Sequence, residues 1–243
     1  MSGLDALAVV VPTHDEQDRV LPCLDALELA RRRLAAVAPG VRTRVVVVLD
    51  DCRDHTAALV ATRSGVETVV VEARRVGAAR RAGTEHVLAT DAAPPPRLWT
   101  VHTDADSRVP VDWLLAQVHE AGTGADAVLG SVVPDDDLAA TVRTAWGERH
   151  PAVDGHPHVH GANLGVRASA LVAVGGWRPL PTGEDVDLAA RLRARPGLVV
   201  RSTARPAVVT SSRPDGRAPR GFSSYLRDLA SRTAVRGAPP VSR

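Results

Sequence analysis

Short apolar runs alternate with longer stretches of helical period through the first half of the chain. The runs are almost continuously apolar and rich in valine, as expected of strands buried on both faces of a parallel sheet. They are Leu7–Val11, Arg44–Leu49, Glu67–Val71 and Leu98–His102. The stretches between them predict helices over Glu16–Ala38, Asp54–Arg63 and Val76–Ala89. This β-α-β series predicts an α/β fold, with a right-handed, doubly wound, mostly parallel open sheet flanked by helices.

The second half of the chain is less regular. Its pattern predicts helices over Val111–Glu120, Arg167–Val174, Glu184–Arg193 and Phe222–Val235. Strands are predicted over Ala127–Leu129, Leu198–Arg201 and Ala207–Thr210, and a histidine-rich loop is expected up to Gly161. We find no internal repeat in the sequence, so we expect residues 1–243 to form one domain.

Composition narrows the classes of function. All 30 basic residues are arginines, which excludes sites that need a lysine, such as a P-loop or a pyridoxal Schiff base. A formal charge of +2 does not favour a nucleic-acid partner. There are two cysteines, no apolar run long enough to span a bilayer and no pattern of a signal peptide, so we expect a cytoplasmic protein without a transmembrane segment. With only six aromatic residues, the core must consist mainly of Val, Leu and Ala.

An Asp-x-Asp motif follows the fourth predicted strand. Asp104 and Asp106 project to the same side of an extended segment, where two carboxylates repel each other unless a cation lies between them. Hard divalent cations take oxygen ligands and keep positions for substrate phosphates. The motif alone is weak, but ligands bind beyond the carboxyl ends of strands in such sheets. The sequence therefore predicts a Mg²⁺ or Mn²⁺ site at this edge.

Two other acidic turns follow predicted strands. Asp50 ends the second strand, where a dinucleotide-binding fold places the acid that binds ribose. However, the turn from Pro12 to Glu16 has no glycine, and its acidic end would repel a pyrophosphate. We therefore expect Asp50 to accept hydrogen bonds from the base or ribose of a mononucleotide. Asp15 and Asp54 also fit a simpler role as helix caps.

An arginine-rich segment begins the third predicted helix. Residues 74–83 contain four arginines and two glycines, and Gly77 and Arg80 are candidates to approach a nucleotide or its phosphates. For Arg74 and Arg81, a solvated helix face is an equally good interpretation.

Polar residues past position 150 form a second candidate group. Glu184 and Asp185 begin a predicted helix, where acids stabilise the N-terminus, but a carboxylate facing a substrate would also serve as a general base. His150, His156, His158 and His160 have a spacing compatible with a transition-metal site or with a polar loop. His160, directly before Gly161, is the one we retain as a site candidate.

Taken in order, these segments resemble family 2 glycosyltransferases of the GT-A fold. Val9–Glu16 resembles the opening strand and its Pro-x-x-(Asn/Asp)-Glu turn, and Thr103–Ser107 matches the metal-binding Asp-x-Asp. The other matching segments are Val48–Thr56 (the nucleotide-base loop), Gly77–Gly83 (the Gly/Arg segment), and Gly161–Asn163 and Gly183–Asp185 (acceptor-side segments). The resemblance covers about residues 7–195.

The resemblance implies a GT-A fold with a Rossmann-like nucleotide-sugar half and a smaller acceptor half. The donor half would cover about residues 1–107, the acceptor half about 108–220, and a C-terminal helix and tail 221–243. The implied activity is metal-dependent transfer of one sugar, with inversion, from a nucleotide-diphosphate sugar to an acceptor hydroxyl, with Mn²⁺ or Mg²⁺ as cofactor. The acceptor remains open between a small molecule, a lipid-linked substrate and a glycan.

The resemblance also implies roles for individual residues. Asp104 and Asp106 would hold the metal, and Asp185, with Glu184 as the competing candidate, would be the base. Donor-nucleotide contacts are implied for Pro12, Thr13, Glu16, Asp50, Asp54, Gly77, Arg80 and Asp104. Acceptor contacts are expected at His160, Gly161, Asn163 and Trp177, with core packing as the alternative for Trp177.

One departure from the family and two alternatives remain open. No histidine follows residue 160, where some relatives complete the metal shell, so Thr210, Ser211 or Arg213 would contact the diphosphate instead. A sugar-nucleotide nucleotidyltransferase lacks support because its Gly-rich loop and lysine are absent. A non-catalytic binding module is the other alternative, and Phe222–Arg236 would permit peripheral membrane contact.

Overall fold

The computed structural model describes residues 3–216 and 221–237. The strands in this part of the chain are β1 (Ala6–Thr13), β2 (Arg42–Asp50), β3 (Val66–Val71), β4 (Leu98–His102), β5 (Ser107–Arg108), β6 (Ala127–Pro134), β7 (Leu164–Arg167) and β8 (Val200–Thr210). The α-helices are α1 (Val20–Val37), α2 (Thr56–Ala61), α3 (Val76–Thr90), α4 (Trp113–Gly122), α5 (Ala140–Arg149), α6 (Ala168–Ala173), α7 (Glu184–Ala194) and α8 (Phe222–Gly237). The expected tail after α8, residues 238–243, lies outside the described residues.

The strands form one sheet in the order β3-β2-β1-β4-β7-β6-β8-β5. The four N-terminal strands pair in parallel, and so do β6 and β8. Antiparallel pairing is confined to β7, between β4 and β6, and to the edge strand β5. This confirms the predicted α/β fold with a mostly parallel open sheet flanked by helices. The carboxyl ends of β1, β2 and β4 meet at one edge of the sheet.

Alternate residues of the central strands pack on opposite faces of the sheet. In β1, Leu7, Val9 and Val11 belong to the apolar cluster that includes α1 and α4. Ala8 and Val10, which lie between them in sequence, belong to the cluster that includes α3. This two-residue period explains the continuous apolar runs, because each strand must present apolar side chains to helices on both faces.

Close contact between α3 and the sheet depends on a glycine. A Cβ atom on Gly83 would lie 2.6 Å from side-chain atoms of Val10 and of Val48. A methyl group does not fit at that distance, so Gly83 sets the spacing between α3 and strands β1 and β2. Its cost in helix propensity, about 1 kcal/mol relative to alanine, is offset by the packing it permits.

The few aromatic residues lie mostly in the interior. Trp99 and Trp113 are completely buried, and each indole N–H has a buried acceptor. Trp99 donates to Gln117 at 2.9 Å, and Trp113 donates to Asn163 at 2.8 Å. Valine, leucine and alanine still make up most of the buried apolar residues, as predicted.

The structure corrects the sequence prediction mainly in the second half. A helix, α5, lies directly before the histidine-rich loop, where no element was predicted, and β7 lies just before the next predicted helix, where no strand was predicted. In α5 only Val142 and Trp146 are buried, so its sequence carries too few apolar positions to show a helical period. The two strands predicted near the C-terminus form the single strand β8. In the first half, α1 begins at Val20 instead of Glu16.

The histidines pack against an aromatic cluster between α5 and α8. The rings of Trp146 and His150 are stacked with their centroids 3.4 Å apart, and Tyr225 of α8 meets both edge-on. The ring centroids of His150 and His158 are 4.3 Å apart, and those of His158 and His160 are 6.2 Å apart. Among the described residues, no group of three His, Cys, Asp or Glu side chains is placed to hold a metal ion. The cluster therefore fits packing better than metal binding.

Burial lowers the pKa of His160 to about 3, and the neighbouring His150, His158 and His156 add to the shift. Burial also lowers the pKa values of His150 and His158. These histidines are consequently neutral in the folded protein at neutral pH.

In the described part of the chain, α8 included, no helix combines the length and the apolar character that crossing a bilayer requires.

We expect the protein to lose stability as the pH falls below about 6.5. The unfolded chain binds the His160 proton at its ordinary pKa near 6.5, whereas the folded chain binds it only near pH 3. Stability from this residue is therefore present above pH 6.5 and is lost progressively between these two values, by at most about 2 kcal/mol at pH 5. Urea unfolding at pH 7 and pH 5 measures the free energy of unfolding. Its decrease from pH 7 to pH 5 should be smaller in the His160→Gln variant than in the wild type. The exposed His119→Gln variant on α4 is the control, and an equal decrease in all three proteins would contradict the prediction.

Two glycines that lie within helices should respond oppositely to alanine. Gly83→Ala should lower the free energy of unfolding by about 1–2 kcal/mol, because overpacking against Val10 and Val48 outweighs the gain in helix propensity. In α5, a Cβ on Gly147 meets nothing within 4 Å, so Gly147→Ala should raise stability by about 0.5–1 kcal/mol. Chemical denaturation of both variants measures this, and a stabilised Gly83→Ala variant would refute the packing argument.

Candidate active site

A cleft of about 370 Å³ lies at the carboxyl edge of the sheet. Its walls come from the ends of β1, β2 and β4, from the segment before α3, and from the end of β8 with the start of α8. Its volume is within the range of small-molecule sites. Among the residues predicted for the site, the lining includes Pro12, Thr13, Glu16, Asp50, Asp104 and Asp106. It also includes Thr210, Ser211 and Arg213, which the sequence analysis had named as alternative diphosphate contacts.

The turns after β1 and β2 are held together by hydrogen bonds from backbone N–H groups to the side chains of two aspartates. The Asp15 carboxylate accepts the backbone N–H groups of Arg53 and Asp54. The Asp54 carboxylate accepts those of Gln17 and Thr56. Both acids thus tie the two turns together, while neither α1 nor α2 has a side-chain hydrogen bond at its N-cap. Asp54 is not among the described residues that line the cleft. Its predicted contact with the nucleotide finds no support in this geometry.

Asp50 organises one wall of the cleft. Its side chain accepts the backbone N–H groups of Ala73, Arg74 and Arg75 at 2.7, 2.8 and 3.1 Å. Arg74 has a φ of 48°, a left-handed conformation that costs energy for a residue other than glycine and is held here by the surrounding bonds. Asp50 is only 3% exposed, so its carboxylate mainly fixes the loop that a nucleotide would face.

Each carboxylate of the Asp-x-Asp motif contacts an arginine. Asp104 accepts a bond from Arg80 at 2.5 Å, and Asp106 lies 3.1 Å from the Arg213 guanidinium. Burial raises the pKa of Asp106 to about 7, and repulsion from Asp104 adds to the shift, while Arg213 opposes it. Burial is the main cause, so the raised pKa reflects mainly the loss of water around the Asp106 carboxylate.

Arg80 is buried and connects the two acidic motifs. It is 1% exposed, with Nη2 on Asp104 and Nε 3.2 Å from Glu184. Its guanidinium carbon lies 5.4 Å from the centre of the Trp177 ring, a cation–π distance. Burial lowers the pKa of Arg80, but Asp104, Glu184 and Asp185 more than offset this and raise it, so the residue stays charged. Arg80 is not among the described cleft-lining residues, and it reaches a donor only through Asp104.

Two glycines predicted for the site provide space for other groups. A Cβ on Gly161 would lie 2.6 Å from Nη2 of Arg80. A Cβ on Gly77 would lie 2.2 Å from the carbonyl oxygen of Arg178, and the Gly77 N–H donates to Leu180 at 3.1 Å. Gly77 therefore packs the start of α3 against the segment before α7, while Gly161 admits the buried guanidinium.

Glu184 and Asp185 begin α7, directly after Gly183. The Asp185 carboxylate accepts the backbone N–H of Gly161 at 2.7 Å and that of Val186 at 2.8 Å. Burial raises the pKa values of Glu184 and of Asp185, and the charge of Arg80 opposes both shifts. A carboxyl group with a raised pKa accepts a proton more readily, as a general base requires.

The predicted acceptor residues lie behind the cleft. Asn163 is 1% exposed, and its amide bonds to Trp113, Ser131 and Pro206. Trp177 is 2% exposed, which fits the core-packing alternative. His160 and Gly161 adjoin Asp185 through the Gly161 N–H. None of the four is among the described residues that line the cleft, so their contact with an acceptor remains a prediction.

Several cleft residues were not named from the sequence. Val76 and Ala79 come from α3, and Phe222 and Ser223 from the start of α8. Only the return of α8 to the edge of the sheet brings the last two into the cleft, and no local motif signals this.

The chemistry of the two carboxylates fits a hard divalent cation. Asp104 and Asp106 both line the cleft and offer carboxylate oxygens, the ligands that hard divalent cations take. No third His, Cys, Asp or Glu among the described residues completes a metal group, so substrate oxygens would have to supply the other ligands.

Solved structures with a similar fold include glycosyltransferases. S. aureus TarS 1–349 in complex with UDP-GlcNAc matches with a TM-score of 0.63 at 14% identity, over 95% of this chain and 66% of that one. Mannosyltransferase PcManGT from Pyrobaculum calidifontis, in complex with GDP-Man and Mn²⁺, gives 0.56 at 20% identity, over 96% and 65%. Glucosyl-3-phosphoglycerate synthase from Mycobacterium tuberculosis, in complex with Mn²⁺, UDP and phosphoglyceric acid, gives 0.56 at 15% identity, over 98% and 80%. The chain thus spans about two thirds of the length of TarS 1–349 and of PcManGT.

Comparison with curated proteins finds no match. The family model for glycosyl transferase family 2 matches residues 8–161. This segment is more than half of the chain and contains β1 to β4 with the Asp-x-Asp motif. The resemblance drawn from the sequence is therefore confirmed, and the chain belongs to glycosyl transferase family 2.

Proposed function

We propose that the protein transfers one sugar from a nucleotide-diphosphate sugar to the hydroxyl of an acceptor. The observation that carries this proposal is the link Asp104–Arg80–Glu184, which joins the candidate donor motif to the residue next to the candidate base Asp185. It places both motifs at one end of the sheet, beside a cleft of suitable size. Family membership supports the same reaction class.

The donor is proposed to lie along the carboxyl ends of the strands. Pro12, Thr13 and the loop fixed by Asp50 would face the nucleoside. UDP-GlcNAc bound to TarS and GDP-Man bound to PcManGT make uridine and guanosine diphosphate sugars the first candidates. Mn²⁺ or Mg²⁺ held by Asp104 and Asp106 would offset the charge that develops on the departing diphosphate.

Asp185 is proposed as the base. Its carboxylate would take the proton of the acceptor hydroxyl while the hydroxyl oxygen attacks the anomeric carbon in line with the departing diphosphate, which inverts that carbon. The Gly161 N–H orients the carboxylate, and the charge of Arg80 keeps it available for the proton. Glu184 is bonded to Arg80, so it fits a role in positioning Arg80 better than the role of the base.

The proposed activity can be tested with a panel of UDP-, GDP- and dTDP-sugars in the presence of Mn²⁺. We expect at least one donor to bind and to be hydrolysed or used. Asp106→Asn should lower turnover on the order of 10²- to 10³-fold, because one of the two carboxylates that would hold the cation at the diphosphate is lost. Circular dichroism should show an intact fold. If the wild type neither binds nor turns over any donor, the protein is a binding module of another kind.

The base assignment predicts a separation of binding from catalysis. Asp185→Asn should lower kcat by about 10²- to 10⁴-fold while donor affinity stays unchanged, because the carboxylate acts on the acceptor proton. The matched control is Asp187→Asn on the same helix, where the carboxylate is bonded to Arg178 and Arg191. Steady-state kinetics and nucleotide titration measure both quantities. Equal loss of donor binding and of transfer in Asp185→Asn would remove Asp185 from this role.

A further inference from the structure

Arg213 follows strand β8 and lines the cleft. It lies three residues beyond the end of β8, and its backbone N–H donates to the Ser211 side chain at 3.2 Å. Ser107 bonds to Thr210 at 2.9 Å, which ties the end of β8 to the Asp-x-Asp turn. These bonds hold Arg213 next to Asp104 and Asp106, the candidate metal ligands. The strand that positions it, β8, is far from both aspartates in sequence.

The guanidinium of Arg213 bonds to two carboxylates at once. Its Nη1 and Nη2 lie 2.7 and 2.5 Å from the two Glu16 oxygens, a bidentate pair, and Nη2 lies 3.1 Å from Asp106. Glu16 and Asp106 are largely buried, and the Arg213 side chain retains 17% exposure. Burial lowers the pKa of Arg213, but Glu16 and Asp106 more than offset this and raise it, so the guanidinium is charged throughout the physiological range.

The carboxylates around Arg213 would repel a diphosphate unless a positive charge lies beside it. Glu16, Asp104 and Asp106 all line the cleft and would repel phosphate oxygens. Arg80 is buried behind Asp104 and has no open path to a ligand. Of the arginines that line the cleft, Arg74 and Arg75 belong to the loop fixed by Asp50, and only Arg213 contacts the Asp-x-Asp motif in the described residues.

We propose that Arg213 is a diphosphate-binding residue that exchanges its Glu16 contact for the donor's phosphate oxygens. A planar guanidinium binds phosphate in the same bidentate manner in which it binds a carboxylate, so the exchange keeps its hydrogen bonds. The guanidinium of Arg213 then supplies a positive charge in the cleft. It lies beside Asp104 and Asp106, the two carboxylates available as protein ligands for a metal. Nucleotide-diphosphate binding should therefore persist, although weakened, without a divalent cation. This inference rests on the proposed function.

The test is the affinity of the full chain for UDP and GDP, measured by calorimetry in excess Mn²⁺ and in EDTA. The wild type should bind at least one of the two in EDTA. Arg213→Gln should weaken that binding by about 10- to 100-fold, the loss expected when a charged hydrogen-bonding group is removed. The loss should be smaller in Mn²⁺. Arg227→Gln, an exposed arginine on α8, is the matched control and should bind like the wild type.

A second probe separates phosphate recognition from general damage to the cleft. Uridine has no phosphate, so its weak binding, followed by ligand-observed NMR, should be the same in the wild type and in Arg213→Gln. Arg213→Lys keeps the charge without the bidentate fork and should show an intermediate loss for UDP. It also replaces Arg213→Gln if that variant does not fold.

The outcomes are distinguishable. If the substituted protein binds UDP or GDP in EDTA as tightly as the wild type, or if the wild type binds only with Mn²⁺, the role of Arg213 is refuted while the proposed function stands. Equal losses for uridine and UDP would also refute it, because they indicate a structural effect. If the wild type binds neither nucleotide under any condition, the proposed function itself fails.

Discussion

The fully buried guanidinium of Arg80 is the constraint on which the rest of the site depends. A charge removed from water is costly, and it is tolerated only when its partners compensate it fully. Here Asp104 and Glu184 bond to it, and the face of Trp177 lies against it. Removing one partner of a buried ion pair such as Arg80–Glu184 typically costs about 3–5 kcal/mol. Arg80 belongs to α3, and the two carboxylates that it contacts belong to the turn after β4 and to the start of α7, so one cation joins both acidic motifs.

The small residues around Arg80 follow from the same constraint. Gly161 leaves room for the guanidinium, and its N–H then meets the Asp185 carboxylate. Gly77 lets the helix that carries Arg80 lie against the segment before α7. Both glycines were predicted from the sequence to contact a ligand, Gly77 the donor nucleotide and Gly161 the acceptor. Neither is among the described residues that line the cleft, and their packing role is visible only in the structure.

Elements with a strong local period were predictable from the sequence. The strands β1, β2 and β4 are largely apolar because both faces of the sheet are covered there, and the acids that follow them lie at the carboxyl edge of the sheet as expected. Residues whose position depends on distant pairing were harder to predict. The Arg80–Glu184 bond joins residues 104 positions apart, and the Arg213–Glu16 bond joins residues 197 positions apart. No local pattern encodes such pairs. The sequence also carries no local signal for α5, because Val142 and Trp146 are its only buried residues and its apolar positions show no helical period.

The bond between Glu16 and Arg213 also bears on how the chain folds during synthesis. Because β8 pairs between β6 and β5, the sheet cannot close around the Asp-x-Asp turn until β8 has been synthesised. The parallel strands of the N-terminal part can form earlier, before Arg213 reaches Glu16 and Asp106. Contacts of such high sequence separation form slowly, because the loop-closure entropy must be overcome first. A nascent chain would therefore hold a formed N-terminal part of the sheet and an unfinished cleft until β8 is added.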